Sequence, residues 1–430
     1  MTLKLCLPYA IPRPPETDTG GRNFSNGVTM RNQTVLISGA SIAGPALAYW
    51  LNRYGFDVTV VERAPALRPG GQAVDFKGET HLTVLERMGI LDAVRARQTG
   101  GADVVFVDET GKRRASLSGD FTGGDIEILR GDLAEILYAR TAENCAYIFG
   151  DSISGLTETD EGVRVEFEQG PARTFDLVFG ADGIHSRVRA LAFGPEREFV
   201  RHRGYYYCIT GSQPRARQTD GPARAVSYAY NAPGRLAVAG GPKAEQMYMF
   251  AAPELSYARD DEAEQRRILT EAFAGVGWKV PEMLAEMAHH EDFYLDALAQ
   301  VRMRTYVRGR VALIGDAAYG NTLAGFGTGL AIVGAYVLAG ELAVAGGDHT
   351  VAFARYDAIM RDYAALAGNS NPGRFLTPKT RYGIRLRDRF LGSRLFGLME
   401  RYAADAKNNI DLRDYPTLLA GGIDSTPTQR

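Results

Sequence analysis

The chain has 430 residues, more than one compact core comfortably organises, so two domains or one domain with a large insertion is expected. An apolar content of 45% and a charged content of 23% are those of an ordinary globular protein, and a net charge of −2 gives no basis for nucleic acid as a partner. Cys6, Cys145 and Cys208 are odd in number and widely spaced, which argues for reduced thiols in a cytoplasmic setting; with histidines paired locally only at His289-His290, no metal site is expected.

Residues 1–31 carry Pro12, Pro14, Pro15, Gly20 and Gly21 without hydrophobic period and read as a disordered leader. The apolar start from Leu3 to Ile11 is broken by Pro8, which disfavours a signal peptide. From Thr34 to Ser38 comes an apolar strand, followed by the turn Gly39-Ala40-Ser41-Ile42-Ala43-Gly44, a helix through Tyr54 and a second strand from Asp57 that ends at Glu62. This is a βαβ unit in which a pyrophosphate would sit at the helix N-terminus, and Glu62 falls about 20 residues after the turn, where a ribose-binding acid belongs. Ser41 replaces the second glycine of the fingerprint; it is small, and its hydroxyl can donate to a phosphate oxygen. Gly39, Ser41, Ile42, Ala43, Gly44, Glu62 and Arg63 are therefore candidate dinucleotide contacts.

The first nucleotide-binding portion is placed at 32–102 and closes with Gln72 in a glycine turn, a strand to Phe76 and a helix from about Glu79 to Met88. Residues 103–126 contain a β-hairpin, Asp103 to Asp108 and Arg113 to Leu117, assigned to the second domain. A second portion, 127–200, has a helix opening at Arg130, strands at Val163 to Phe167 and Thr174 to Val178, and the segment Asp182-Gly183. Between 201 and 293 the texture becomes short alternating segments, Tyr205 to Ile209, Ala225 to Tyr230, Arg235 to Ala239 and Gln246 to Phe250, then two helices; an inserted antiparallel sheet with one covered face is expected. The chain is read as returning to the first domain at Tyr294.

The third portion, 294–368, holds the stretch around which the chain is organised. A buried strand from Val311 ends at Gly315-Asp316, and a glycine-rich loop with Gly325, Phe326 and Gly327 leads into an apolar run from Leu330 to Leu342, short of the roughly 18 residues of a membrane span. Asp316 can accept hydrogen bonds from a polyhydroxylated chain, and bare backbone lets a flat ring approach the helix N-terminus. The tail, 369–430, begins with a basic amphipathic helix over Arg374 to Arg401. Such a helix can lie on a membrane, but a terminal helix bracing the two domains is preferred.

Three separated pieces, Gly39 to Gly44 with Glu62, Asp182-Gly183, and Gly315-Asp316 with Gly325 to Gly329, together with Arg130, resemble the fingerprints of single-component FAD-dependent aromatic hydroxylases. This is the para-hydroxybenzoate hydroxylase fold, which includes the tetracycline-inactivating flavin monooxygenases, and the resemblance covers roughly Thr34 to Tyr363. It implies an α/β protein with a Rossmann-like FAD-binding domain, an inserted antiparallel β-sheet substrate domain and a C-terminal helix. In that resemblance the 39–44 turn cradles the FAD pyrophosphate, Glu62 binds ribose, Arg130 approaches the phosphate and ribityl region, Asp182-Gly183 is associated with FAD and NAD(P)H, and Asp316 holds the ribityl hydroxyls. The resemblance further implies that Gly325, Phe326 and Gly327 lie by the isoalloxazine, that NADPH or NADH reduces the flavin, and that a flavin C4a-hydroperoxide hydroxylates an electron-rich ring. A lining of Tyr205, Tyr207, Tyr228, Tyr230, Met247 and Phe250, with Gln72 and Thr322 nearby, suits a bulky, largely neutral polycyclic or polyketide-type substrate.

The loop after Asp316 departs from the family pattern. It lacks the usual proline, Tyr319 stands where histidine is frequent, and Gly329 and Gly334 replace the common Asn and Asp. These changes open a second reading, a redox-silent FAD-bound cyclase performing [4+2] decalin formation in a shaped apolar cavity.

Overall fold

The computed structural model describes residues 31–68, 71–119, 124–211, 225–241, 245–324, 327–366, 371–396 and 410–420. The expected leader through residue 30, together with Gly325 and Phe326, lies outside them. Arg31, expected to belong to the leader, donates its backbone N–H to Gly346 O at 3.0 Å.

A six-stranded sheet runs in the order Val307–Arg308, Val311–Leu313, Leu177–Gly180, Thr34–Ser38, Asp57–Glu62 and Ala146–Phe149, with all neighbours parallel except the first pair. Thr34–Ser38 has a strand on each side and packs against the helix Ala43–Arg53 and the strand Arg173–Phe175, so Val35, Leu36 and Ile37 are wholly buried. The crossover helix Ala43–Arg53 makes the parallel pairing of Thr34–Ser38 with Asp57–Glu62 possible. A three-stranded antiparallel sheet, Ile153–Thr159, Gly162–Phe167 and Arg173–Phe175, lies beside it.

The strand expected over Thr174 to Val178 is two strands in different sheets. Asp176 separates them: its carboxylate accepts from Thr34 N at 2.8 Å and Thr34 Oγ1 at 2.7 Å, anchoring the chain where Arg173–Phe175 ends and Leu177–Gly180 enters the parallel sheet.

A seven-stranded sheet forms the second layer system. Its order is Phe293–Val301, Val200–Thr210, Gln246–Ala251, Arg235–Ala239, Ala225–Ala232, Ala102–Val107 and Arg113–Leu117. Pairing is antiparallel except between Ala225–Ala232 and Ala102–Val107. Phe293–Val301 is its edge strand, so the chain leaves this sheet after Val301 and not at Tyr294. One face packs Tyr206, Cys208, Tyr248 and Phe250 against the helices Glu262–Ala272 and Val280–Met287. The other carries Tyr205, Tyr207, Ile209, Met249 and Leu298, and receives Leu391 and Phe396 from the C-terminal region. The helix Arg381–Leu391 braces this face, with the Arg387 guanidinium 3.9 Å from the centre of the Phe106 ring.

The apolar run at the organising stretch is longer than the sequence suggested. The helix Gly327–Val344 has a mean hydropathy of 1.6 and is long and apolar enough to cross a membrane, but 83% of it is buried inside the protein. It packs against Ala43–Arg53, Glu79–Arg87, His349–Leu366 and Tyr415–Ala420, which is why it is apolar all round. Near its end Glu341 is fully buried and accepts from Tyr415 Oη and Arg413 Nη1, each at 2.8 Å. A buried carboxylate needs such partners, so the far end of the chain is fastened to the central helix.

Candidate functional site

The cleft begins at the turn after Thr34–Ser38. Gly39 has φ 106°, a left-handed conformation that suits glycine, and a Cβ there would fall 2.5 Å from Ala181 O. A Cβ on Gly44 would collide with Gly39 O. Glycine at both positions therefore holds the turn tight against the start of Ala43–Arg53. Ile42 and Ala43 are buried beneath it. That helix has no side-chain cap at Ile42 and no acidic residue in its first turn, so its first N–H groups and positive end remain for an anionic group. Glu62 steadies the turn by accepting from Ala40 N at 2.8 Å and Ala64 N at 2.9 Å, which leaves carboxylate lone pairs for hydroxyls. Arg63 is exposed.

Arg130 opens the helix Arg130–Ala139 and reaches over the same turn, its Nε donating to Ser41 Oγ at 3.1 Å. Its backbone N–H donates to Gln72 O at 3.1 Å, so Gln72 is tied to the arginine's base. A cation and a hydroxyl are thus set beside an uncapped helix N-terminus, a donor set that fits a diphosphate.

Asp316 follows Gly315, which takes φ 63° at the end of Val311–Leu313. The Asp316 side chain is reached by solvent although protein surrounds it, the combination a deep cleft produces. Desolvation raises its carboxyl above the usual range, Arg130 opposes the rise and Asp296 adds to it. Gly327, at the start of the long helix, would place a Cβ 3.4 Å from Asp316 Oδ1. Asp182 is employed differently. Its carboxylate accepts from Ser186 Oγ, from Arg187 N at 2.8 Å and from Val188 N at 3.0 Å, so it shapes the turn into Arg187–Ala192. Burial raises its carboxyl and these bonds oppose the rise. Gly183 beside it has φ 82°.

The loop after Asp316 joins the cleft to the seven-stranded sheet. Val301 N donates to Gly320 O at 2.7 Å, Thr322 N donates to Ala299 O at 3.0 Å, and Asn321 bridges Gln300. Thr322 Oγ1 accepts from Ala299 N at 3.3 Å, and Leu323 packs on the sheet face that carries Tyr205 and Tyr207. Tyr205, Tyr207, Met247 and Thr322 therefore gather on one side.

Tyr228, Tyr230 and Phe250 do not join them. Side chains alternate along a strand, which sends Phe250 against Tyr206 and Phe273 on the helix-covered face and Tyr230 beside Trp278, with ring centroids 5.8 Å apart. Tyr228 shares Tyr230's parity and is 49% exposed.

Sequence reasoning missed the side chains that Phe293–Val301 presents to the cleft. Tyr294 Oη donates to Asp296 Oδ2 at 2.8 Å, and the Tyr294 and Tyr207 rings lie 5.8 Å apart. His185 stands between Asp296 and Glu196, with a ring nitrogen 3.1 Å from each. Burial disfavours its charged form, but the two carboxylates outweigh that and raise its pKa, while Glu196 is lowered to about 2 by His185 and Arg259 against the opposing effect of burial. The period-two series Tyr294, Asp296, Leu298, Gln300 is the signal that reading this segment as a strand would have exposed.

The family departures have packing partners. A Cβ on Gly334 would clash with Tyr319 Oη, so the larger Tyr319 occupies the space that Gly334 vacates. A Cβ on Gly329 would clash with the ring of His81. That ring is neutral: burial lowers its pKa to about 4, Nδ1 accepts from Lys77 N at 3.1 Å, and Nε2–H is left to donate to Tyr363 Oη at 3.0 Å.

A Rossmann-like half, a phosphate-ready turn, an acid at the cleft floor and a sheet facing it define an FAD-binding protein of the aromatic-hydroxylase fold. The family described as FAD binding domain matches residues 32–356, and the chain belongs to it. A flavin-dependent monooxygenase of Legionella longbeachae is 37% identical over 345 residues, covering 77% of this chain and 86% of the relative. An FAD-dependent monooxygenase of Sarocladium schorii, asL4, is 36% identical over 72% of this chain and 75% of its own length. Among solved structures, the tetracycline destructase Tet(51) superposes with a TM-score of 0.72 at 31% identity, covering 89% of this chain and 98% of that one.

Proposed function

We propose that this protein uses NADPH or NADH to hydroxylate a bulky aromatic or polyketide-type molecule, held between FAD and the cleft face of the seven-stranded sheet. The observation that carries this reading is the placement of Asp316 and Arg130 in one cleft, joined to that sheet by the backbone pairing of residues 320–322. Bound FAD, reduced by the nicotinamide and reoxidised by oxygen, supplies the oxygen-transfer chemistry. The chain's own part is to bind and to orient. The 39–44 turn and Arg130 would hold the diphosphate, Glu62 the ribose and Asp316 the ribityl hydroxyls. Tyr205, Tyr207 and Met247 would present an aromatic and apolar wall to the substrate, and Leu323 would help exclude water.

The redox-silent cyclase reading rested on the altered loop and helix start. Tyr319 with Gly334 and His81 with Gly329 now account for those residues as paired packing changes, and the relatives are named monooxygenases. The test mixes the yellow holoprotein with NADPH or NADH and oxygen, with and without polycyclic aromatic candidates. Flavin bleaching and nucleotide consumption stimulated by substrate and matched by hydroxylated product are expected. Failure of both nucleotides to reduce the flavin under every condition would end the proposal.

A further inference from the structure

The helix Arg381–Leu391 uses only one of its faces to brace the seven-stranded sheet. Thr380 caps its start, Oγ1 accepting from Gly383 N at 3.0 Å. Arg387 and Leu391 are buried, and the Arg387 guanidinium is fully engaged: Nε pairs with Asp388 at 2.9 Å, Nη2 donates to Asn231 Oδ1 at 2.6 Å and Nη1 to Leu376 O at 3.2 Å. At about 100° per residue, Tyr382, Arg385, Leu386 and Arg389 fall together on the opposite face, and all four are exposed. Tyr382 is 76% exposed, Leu386 56% and Leu395, just past the helix end, 65%; these are the three most exposed large apolar side chains among the described residues. Arg381, Arg385, Arg389 and Arg394 are exposed beside them, and among the described residues none of the four is in an ion pair. Between residues 371 and 396 the only acid is Asp388, which Arg387 takes. A merely solvated basic face gives no reason to turn the largest apolar groups outward together.

We infer that this face docks on an anionic lipid surface. Apolar side chains that enter the headgroup boundary, a tyrosine between apolar and wet zones, and arginines whose long stems carry their charge to the phosphates are the set an interfacial helix uses. Charge complementarity selects the occupant. A protein partner would have to place an acid against each arginine in fixed register, whereas a lipid surface offers mobile anionic headgroups and a fluid apolar layer that accepts Tyr382, Leu386 and Leu395 in any register. The helix is already fastened through Arg387 and Leu391, so it is formed before it docks. It also adjoins the sheet face that carries Tyr205 and Tyr207, with Lys379 Nζ 5.5 Å from the centre of the Tyr205 ring. Docking therefore holds the proposed substrate wall near a bilayer, where bulky apolar molecules concentrate.

The experiment sediments the FAD-loaded full chain with vesicles of phosphatidylcholine alone, or of phosphatidylcholine and phosphatidylglycerol in equal parts. Wild type should partition onto the mixed vesicles at least about tenfold more strongly than onto the neutral ones. The double variant R385Q/R389Q should lower that partition at least about tenfold, and Y382S/L386S at least about fivefold. Y382W should show a blue shift of tryptophan emission on the mixed vesicles and none in buffer. The substituted side chains are all exposed, so unchanged urea midpoints are expected and separate lost docking from lost fold. Absence of wild-type partition onto the mixed vesicles would overturn the inference. Partition unaltered in Y382S/L386S, with no shift in Y382W, would also overturn it, because adsorption by charge alone would then suffice. If wild type ignores the vesicles but binds poly-L-glutamate in a manner lost in R385Q/R389Q, the face takes an acidic protein segment and the lipid assignment is wrong. None of these measurements involves nicotinamide or turnover, so their outcome is independent of the monooxygenase reading.

Discussion

Replacing Gly334 by alanine separates two opposed effects in the central helix. In an exposed helix interior the change would stabilise by about 1 kcal/mol, because glycine loses more backbone freedom on folding. At Gly334 the added methyl meets Tyr319 Oη, at the end of a buried ring wedged edge-on against Tyr306 with centroids 5.3 Å apart. Overpacking of this kind costs about 1–3 kcal/mol, so a net loss of up to about 2 kcal/mol is expected. Tyr319→Phe removes the obstructing oxygen and its 3.3 Å bond to Leu330 O, leaving Tyr319 Cζ and Met360 Cε at 3.4 Å, an ordinary contact. In that background Gly334→Ala should become stabilising, giving a coupling of about 1–3 kcal/mol. Urea unfolding followed by tryptophan fluorescence, at one fixed excess of FAD because bound ligand shifts stability, measures all four proteins. An equal effect of Gly334→Ala in both backgrounds would show that Tyr319 and Gly334 are not a matched pair.

Asp316→Ala should raise the FAD dissociation constant roughly ten- to hundredfold, as expected for charged hydrogen bonds worth about 1.5–3 kcal/mol, with Asp316→Asn between it and wild type. Fluorescence of released flavin measures this, and an unchanged constant would remove Asp316 from the FAD site. Stability should depend on pH through His185 and Glu196. His185 is raised in the folded protein, so its contribution is complete below the unfolded value of about 6.5 and disappears as pH climbs through the folded value. Glu196 is lowered to about 2, so its contribution is complete above its unfolded value of about 4.3 and is lost as pH falls towards 2. His185→Gln should flatten the decline in the urea midpoint above about pH 6.5, and an unaltered alkaline limb would show that another group sets it.

The first βαβ unit was legible because its signals are local: an apolar run, a glycine turn, a helical period and an acid at the next strand's end, all reproduced from Thr34 to Glu62. The alternating strands of the second sheet were legible too. Which face of each strand meets the cleft was not, because alternation divides side chains into two sets without saying which set a helix will cover. Tyr228, Tyr230 and Phe250 fell on the wrong side for that reason. Ala146–Phe149 and Ile153–Thr159 passed unread, and Phe293–Val301 was assigned past the sheet's end although it pairs with Val200–Thr210. Gln300 shows the deeper limit. Its side-chain oxygen accepts from Arg203 and Arg302, arginines almost a hundred positions apart, and no local pattern carries that information.

The pairing of residues 320–322 with Ala299–Val301 has a consequence for handling the protein. Phe293–Val301 is the outer strand of its sheet, and an uncovered outer strand offers its backbone to any neighbouring chain. The segment that leads from the flavin site is therefore also the sheet's shield. It passes through Leu323, held at φ 58°, a conformation uncommon for a side chain of that size. Because the loop covers Ala299 to Val301 of that strand, substitution of Leu323 is expected to expose this end, with faster growth of turbidity in stored samples as the readout.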